Sequence, residues 1–336
     1  MYVLGIESSC DETAAAIVTE RKEILSNVIY SQIDEHKIFG GIVPEIAARA
    51  HLEKIDLVVA KALADAHLDI SEITAVAGAC GPGLIGGLIV GSTFAKTIAM
   101  AMGIPFVATN HIEAHALSVR LTENVSFPYL LLLVSGGHCQ LCVVHGIDLF
   151  EVLGKTIDDS VGEAFDKVAK LLGFGYPGGA ALEKEAVHGN DGAFFLPSPL
   201  CREKSCDFSF SGLKTAVLIA SQRCNSPQDK ANLCASFQKT AVNILGRKTK
   251  RALNICRAKN IKITAVIAAG GVAANGAVRK ELHSVSASDG LSFLAPPPQL
   301  CTDNGAMIAW LGVEKLLLNQ THDLNFAPRP RWPLGE

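Results

Sequence analysis

The stretch YVLGIESSCDETAAAIVT, residues 2 to 19, and its echo YLLLLVSGGHCQLCVVH, residues 129 to 145, decide the fold. Each is an apolar strand, a tight turn of small, polar or glycine residues, and a second apolar strand, the pattern of a β-hairpin. Placing Glu7 over Ser135 keeps the two patterns in step. One such hairpin is ordinary. Two of them, each heading half of the chain, predict a duplicated α/β protein with two lobes. The length of 336 residues agrees, since a domain usually takes roughly 100 to 200. The expected lobes are 1–127 and 128–336, with the extreme C-terminal helix packing back on the first.

Composition fits buried parallel strands: 49% hydrophobic, 19% charged and 6% aromatic residues, with 30 glycines. Apolar residues at Leu52, Ile55, Val58, Val59, Ala62 and Leu63 predict a helix over 51–66. A strand over Ile73 to Cys80 runs into the glycine loop 81–87, which opens a helix over Val90 to Met102. A second transition has a strand over Ile263 to Ala269, the loop Gly270-Gly271-Val272-Ala273-Ala274-Asn275 and a helix over Ala277 to His283. These loops offer backbone N–H groups to an anion, and the second suits a flat nucleoside. Neither matches the GxGxxG or GxxxxGK[ST] spacing, which excludes a Rossmann or P-loop assignment. The turns at Ser8-Ser9 and Gly136-Gly137 likewise read either as anion holders or as plain hairpin turns.

Apolar runs such as Tyr129 to Val134 stop short of the roughly 20 residues of a spanning helix, and Met1 to Glu7 reads as a strand rather than a signal peptide. A cytoplasmic protein with no membrane association is expected. The ten cysteines are scattered through strands and helices and read as reduced thiols. A formal charge of −3 exerts no overall pull on nucleic acid. The local candidate for RNA contact is Arg247-Lys248-Thr249-Lys250-Arg251 with Arg257, Lys259 and Lys262, which also reads as a solvated helix face.

From Asn110 the chain continues HIEAHALSVRL, a helical pattern in which His111 and His115 share one face. Such a pair can bind one metal ion, or can be two satisfied buried histidines. It is not the zinc-protease HExxH motif, because Glu113 is two residues past His111, about 200° round the helix. A third ligand is available at Asp303, after Pro296-Pro297-Pro298 and before a helix over Met307 to Leu318. That aspartate reads equally as the helix N-cap.

The motifs ESSCDETAAAIV, GGIVPEIAARAH, GPGLIGGLIVG, NHIEAHA, LLVSGGHCQL, DDSVGEAFDKVAKLLG, YPGG, FSFSGLKTAV, AAGGVAANGAVR and CTDNGAMIA run in order from residue 7 to about 309. Together they resemble the bacterial TsaD family. The resemblance implies an actin-like ATPase (ASKHA) fold with an interlobe cleft. It also implies transfer of a threonylcarbamoyl group from threonylcarbamoyl-AMP to the N6 amine of adenosine 37 in tRNAs reading ANN codons, releasing AMP. The implied ligands of one divalent ion, iron or zinc, are His111, His115 and Asp303. The adenylate would lie against Val134, Ser135, Gly136, Gly137, His138, Asp166, Gly179, Glu183 and Asn275. Asp11 or Glu12 would take the amine proton, although a carboxylate there can also simply order the turn. Archaeal and eukaryotic relatives carry a metal-contacting tyrosine where this chain has Leu133. TsaB-like and TsaE-like proteins are the implied partners, with the helices near Ile46 to Ala66 as a docking surface. A kinase-like ATPase and a metalloprotease are the alternative classes.

Overall fold

The computed structural model describes residues 1–175, 178–200 and 203–335. The chain forms two compact units. The first comprises Met1–Asn124, Ile147–Leu149 and the chain from Thr302 onward; the second comprises Val125–Gly146 and Phe150–Cys301.

The first unit is built on β1 (Tyr2–Glu7), β2 (Glu12–Thr19), β3 (Ile24–Ser31), β4 (Ala75–Gly81) and β5 (Phe106–Asn110), in the order β3-β2-β1-β4-β5. β1, β2 and β3 pair antiparallel, while β4 and β5 join parallel to β1. The second unit repeats this plan with β6 (Tyr129–Val134), β7 (Cys139–Gly146), β8 (Leu149–Lys155), β9 (Ala265–Ala269) and β10 (Ser292–Leu294), ordered β8-β7-β6-β9-β10. β6 is antiparallel to β7 and parallel to β9, which is parallel to β10. The repeated order is the duplication that the hairpins predict. The register differs by a residue: strand starts at Tyr2 and Tyr129 set Glu7 opposite Val134, not Ser135. The turn residues obscured this slip. The first hairpin closes on the pair Glu7–Ala14 and the second on Val134–Cys139, so the first turn is longer.

Helix Pro44–Asp65 begins earlier than its apolar period suggests, with proline in its first turn, and buries Ala47, Ala50, His51, Ile55, Val58, Val59 and Ala62. Helix Ile85–Met102 opens inside the glycine run and is mostly apolar, with Lys96 its one charged residue. At 18 residues and a mean hydropathy of 1.5 it has the length and composition of a spanning helix, contrary to the expectation from the apolar runs. It packs as a core helix. Its face of Gly87, Leu88, Gly91, Ser92, Ala95 and Ala99 is buried, and a Cβ on Gly91 would lie 1.9 Å from Ser8 Oγ.

The glycine loop 81–87 is therefore a packing device rather than an anion cradle. A Cβ on Gly81 would meet the Arg329 carbonyl at 1.9 Å, and one on Gly83 the Ser9 carbonyl at 2.4 Å. In the second unit, helices Val161–Leu171, Gly179–Ala186, Pro227–Ala258 and Gly276–Ala287 carry much of the core, with Phe165 and Phe237 meeting edge to face at 4.9 Å.

The basic run on helix 227–258 is partly absorbed by the fold. Lys248 is buried and donates to the carbonyls of Leu200 (2.8 Å) and Ser205 (2.9 Å). Arg251 donates to the Ser205 carbonyl at 3.3 Å, Lys250 and Arg257 pair with Asp289, and Lys259 pairs with Glu151. Lys248 alone is drawn inside, whereas Arg247, Arg257, Lys259 and Lys262 stay exposed and keep a solvated helix face. The nine described cysteines are free thiols.

Helix Gly305–Leu317 lies directly on β1 and β2. A Cβ on Gly5 would sit 2.3 Å from Ala309 N and 2.4 Å from the Gly305 carbonyl, and one on Gly305 would sit 2.5 Å from Ala16 N. Gly5→Ala should lower stability by about 2 kcal/mol or more through overpacking. Gly41→Ala, with open space around its Cβ, should change it by less than about 0.5 kcal/mol. Paired thermal melts measure the difference, and equal melting temperatures would contradict this packing.

Candidate metal centre and nucleotide loops

β5 ends at Asn110, whose side-chain oxygen accepts from the N–H groups of Ile112 (2.9 Å) and Glu113 (3.1 Å) and so starts helix His111–Leu117. Its Nδ2 donates to the Trp332 carbonyl at 3.0 Å. His111 is thus the first helical residue and His115 follows one turn later. Their rings stand edge to face, 4.7 Å apart. Asp303 arrives on the loop before helix 305–317. The cap there is Asn304, which accepts from Met307 N–H at 3.0 Å. The capping role that the sequence offered to Asp303 is thus filled by Asn304. Its Oδ1 lies 3.0 Å from His115 Nε2 and 3.6 Å from His111 Nε2. One ligand atom from each of the three residues falls within 4.8 Å of the others. Tetrahedral bonds of about 2.0–2.2 Å put neighbouring ligands roughly 3.3 Å apart, so this donor set fits an ion such as zinc.

The surroundings favour a cation. Glu7 Oε2 holds His111 Nδ1 at 2.9 Å, with Ser9 Oγ 3.1 Å from the same nitrogen. A carboxylate behind an imidazole fixes the ring and strengthens its far nitrogen as a ligand. Burial disfavours charge on His111, but Glu7 and Asp303 overcome it and raise the imidazole to about 9. Burial, then Asp303 and Asp11, push Glu12 up to about 10. Burial and Asp11 also push the Cys10 thiol far up. Without an ion the cluster therefore holds protons. His115 Nδ1 is buried with no hydrogen-bond partner. Glu113 turns elsewhere, pairing with Lys315 Nζ at 3.2 Å and accepting from Asp148 N–H at 2.7 Å.

The first turn is not the anion holder that Ser8-Ser9 suggested. Ser9 N–H goes to Glu7 Oε1 (2.5 Å), Ser8 Oγ donates to the Gly87 carbonyl (2.9 Å), and both serines are buried. The contribution of Glu7 was missed at the sequence level. Its only sign was a carboxylate ending an apolar strand.

In the second unit the equivalent turn is more open. Ser135 N–H bonds the His138 carbonyl (2.8 Å) and His138 N–H bonds Ser135 Oγ (3.1 Å), while Gly136 and Gly137 are exposed with open space around them. Ser160 Oγ, at the start of helix 161–171, donates to the Gly136 carbonyl at 2.6 Å. Gly270, at φ +91°, comes so close to β6 that a Cβ would meet the Val134 carbonyl at 2.5 Å. Its tight approach packs this loop against the hairpin. Asp166 Oδ1 accepts from the N–H groups of Gly178 (2.9 Å) and Gly179 (3.0 Å); burial raises its pKa and these donors oppose the rise. Glu183 Oε1 accepts from Gly276 N–H at 2.8 Å. Asn275 caps helix 276–287 and donates to Gln238 Oε1 at 3.0 Å. These residues clamp the loops together. Tyr176 and Pro177 of the YPGG motif lie outside the described residues, and Leu133 is wholly buried in β6.

Two units that repeat one five-strand order, β3-β2-β1-β4-β5 and β8-β7-β6-β9-β10, make this a protein of the actin-like ATPase fold. Solved structures with that fold superpose on it. Full-length HypF in its phosphate- and nucleotide-bound form has a TM-score of 0.60 at 16% identity, covering 95% of this chain and 47% of that one. Component A of (R)-2-hydroxyglutaryl-CoA dehydratase from Acidaminococcus fermentans has 0.55 at 14%, covering 95% and 99%.

The profile of TsaD, tRNA N6-adenosine threonylcarbamoyltransferase, matches residues 23–310. Relatives of that name include those of Paramagnetospirillum magneticum, 52% identical over 99% of this chain and 97% of its own length, and Chelativorans sp., 55% identical over 99% and 95%. The chain belongs to the TsaD family and is a tRNA-modifying acyltransferase.

In the metal-free chain, folded His111 keeps its proton to about pH 9 and Glu12 to about pH 10, against ordinary values of 6.5 and 4.5. The folded state then binds more protons than the unfolded one between pH 6.5 and 9, so stability falls as pH rises through that window. Urea midpoints of chelator-treated protein should drop from pH 6.5 to pH 9, and Glu12→Gln should flatten the slope. Midpoints that climb with pH would refute the proton-holding cluster.

Proposed function

We propose that the chain transfers the threonylcarbamoyl group of threonylcarbamoyl-AMP to the N6 amine of adenosine 37 in tRNAs reading ANN codons, with release of AMP. The observation that carries this reading is the carboxylate-backed cluster of His111, His115 and Asp303 in a chain of the TsaD family.

The three residues would hold one divalent ion, iron or zinc, since imidazole and carboxylate ligands suit both. When bound, the ion supplies Lewis-acid stabilisation to oxygens of the carbamoyl-phosphate group. The amides of the exposed Gly136 and Gly137, between Val134-Ser135 and His138, hold the phosphate. Asp166 and Glu183 each have one carboxylate oxygen engaged by backbone N–H groups and use the other to accept from ribose hydroxyls. Gly179 and Asn275 keep the loops around the nucleoside in place. The tRNA amine forms a bond to the carbamoyl carbon, the bond from that carbon to the phosphate oxygen breaks, and AMP leaves. Asp11, beside Glu12 on the first turn, is assigned to receive the proton of the amine.

A TsaB-like partner docks on helix 44–65, where Leu52 is 69% and Leu57 60% exposed, and a TsaE-like ATPase completes the system. The work takes place in the cytoplasm, where tRNA is.

Purified chain, its two partners, unmodified tRNA and labelled threonylcarbamoyl-AMP should yield labelled tRNA. His115→Ala should lower metal affinity and transfer by on the order of 100-fold while the fold persists. Unlabelled tRNA with consumption of ATP or peptide instead would defeat the assignment.

A further inference from the structure

We infer that His51 is a positioning residue for the reaction: its ring fixes the turn that carries Asp11 and Glu12. The inference rests on the assignment of Asp11 to the amine proton.

His51 lies on the inner face of helix 44–65 and is fully buried. Its Nε2 is 3.0 Å from the Cys10 carbonyl, and its Nδ1 is 2.8 Å from Thr13 Oγ1 and 3.3 Å from Gln32 Nε2. A carbonyl only accepts, so Nε2 carries the hydrogen and Nδ1 receives the Thr13 hydroxyl. Burial lowers the pKa of this imidazole, which keeps the neutral ring that such an arrangement needs. The ring packs close against Gly87, where an added Cβ would come within 3.0 Å of its Cδ2 and Nε2.

The Asp11 carbonyl is held as well. It accepts from Gln32 N–H at 3.0 Å, and Gln32 uses its side chain to bridge His51 Nδ1, the Ala47 carbonyl (3.4 Å) and His36 Nε2 (3.2 Å). The peptide groups on both sides of Asp11 are thus anchored, one by His51 and one by Gln32. With both carbonyls fixed, the direction in which the Asp11 side chain leaves the backbone is fixed too. A displacement of about 1 Å at a reacting group can cost on the order of 100-fold in rate. The chain has several other buried histidines, but this one spans the turn.

The test uses the complete transfer system together with amide hydrogen exchange on the purified chain. His51→Leu should lower kcat roughly 100-fold and leave KM for tRNA within about threefold. It should speed exchange about tenfold or more in peptides covering 8–13, with helix 227–258 unchanged. His51→Gln, whose Nε2–H can still reach the Cys10 carbonyl, should recover kcat to within about tenfold of the parent. Should His51→Leu fail to fold, Thr13→Val, which removes only the hydroxyl that orients the ring, should give the same local exchange and a smaller fall in kcat.

Either of two results would overturn the inference: kcat in His51→Leu within about threefold of the parent, or exchange rising evenly through the first unit with no rescue by Gln. Asp11→Asn separates the two readings. Full transfer by that variant removes the assignment of Asp11, whereas the exchange result still reports whether His51 holds the turn.

Discussion

The contact on which the rest of the first unit depends is Glu7 against His111. It sets a carboxylate in the core at the end of β1, which is tolerable only beside a positive partner. Asp303, Asp11 and Glu12 add three more acidic groups to the neighbourhood. Two imidazoles cannot balance them while neutral. The site therefore takes up protons or a cation, and the raised values of His111 and Glu12 are the metal-free form of that demand. An ion held by the two histidines and Asp303 meets the same electrostatic need with fixed geometry, and leaves Glu7 to orient one ligand from behind.

Duplication gave the chain two hairpins of one topology, and their turns diverged in charge. In the first, serine side chains and buried amides are spent on Glu7 and on the adjoining helix 85–102, which packs close through Gly87 and Gly91. In the second, Gly136 and Gly137 are exposed with open space where a side chain would stand, and the carbonyl of Gly136 is tied back by Ser160. One turn gathers carboxylates, whereas the other exposes two glycines.

Much of this was legible in the sequence because it is periodic. The hairpins alternate, the histidines sit four apart on a helix, and Glu113 falls on the wrong side for a protease. What was not legible depends on partners distant along the chain. Asp303 next to Asn304 offers two capping residues, and only the structure shows that Asn304 takes the role. The glycines of 81–87 look like an anion loop until Arg329 and Ser9 are found pressed against them. The run 247–251 looks exposed until Lys248 turns inward to Leu200 and Ser205. Local spacing states what a segment can do, whereas long-range packing chooses among its possibilities.

The strongest such choice is made by helix 305–317. His115 and Asp303 are 188 residues apart in sequence, and the donor set is complete only once the chain from Thr302 returns to β1. Gly5 and Gly305 let the helix approach the sheet backbone to backbone, where any side chain would hold it off. An ion bound by His111, His115 and Asp303 would stabilise the docked helix over any opened form, because the opened form offers at most two of the three ligands. Metal affinity and the seating of the final helix would then be one equilibrium. The glycines that appear to serve packing alone belong to the site as much as the histidines do.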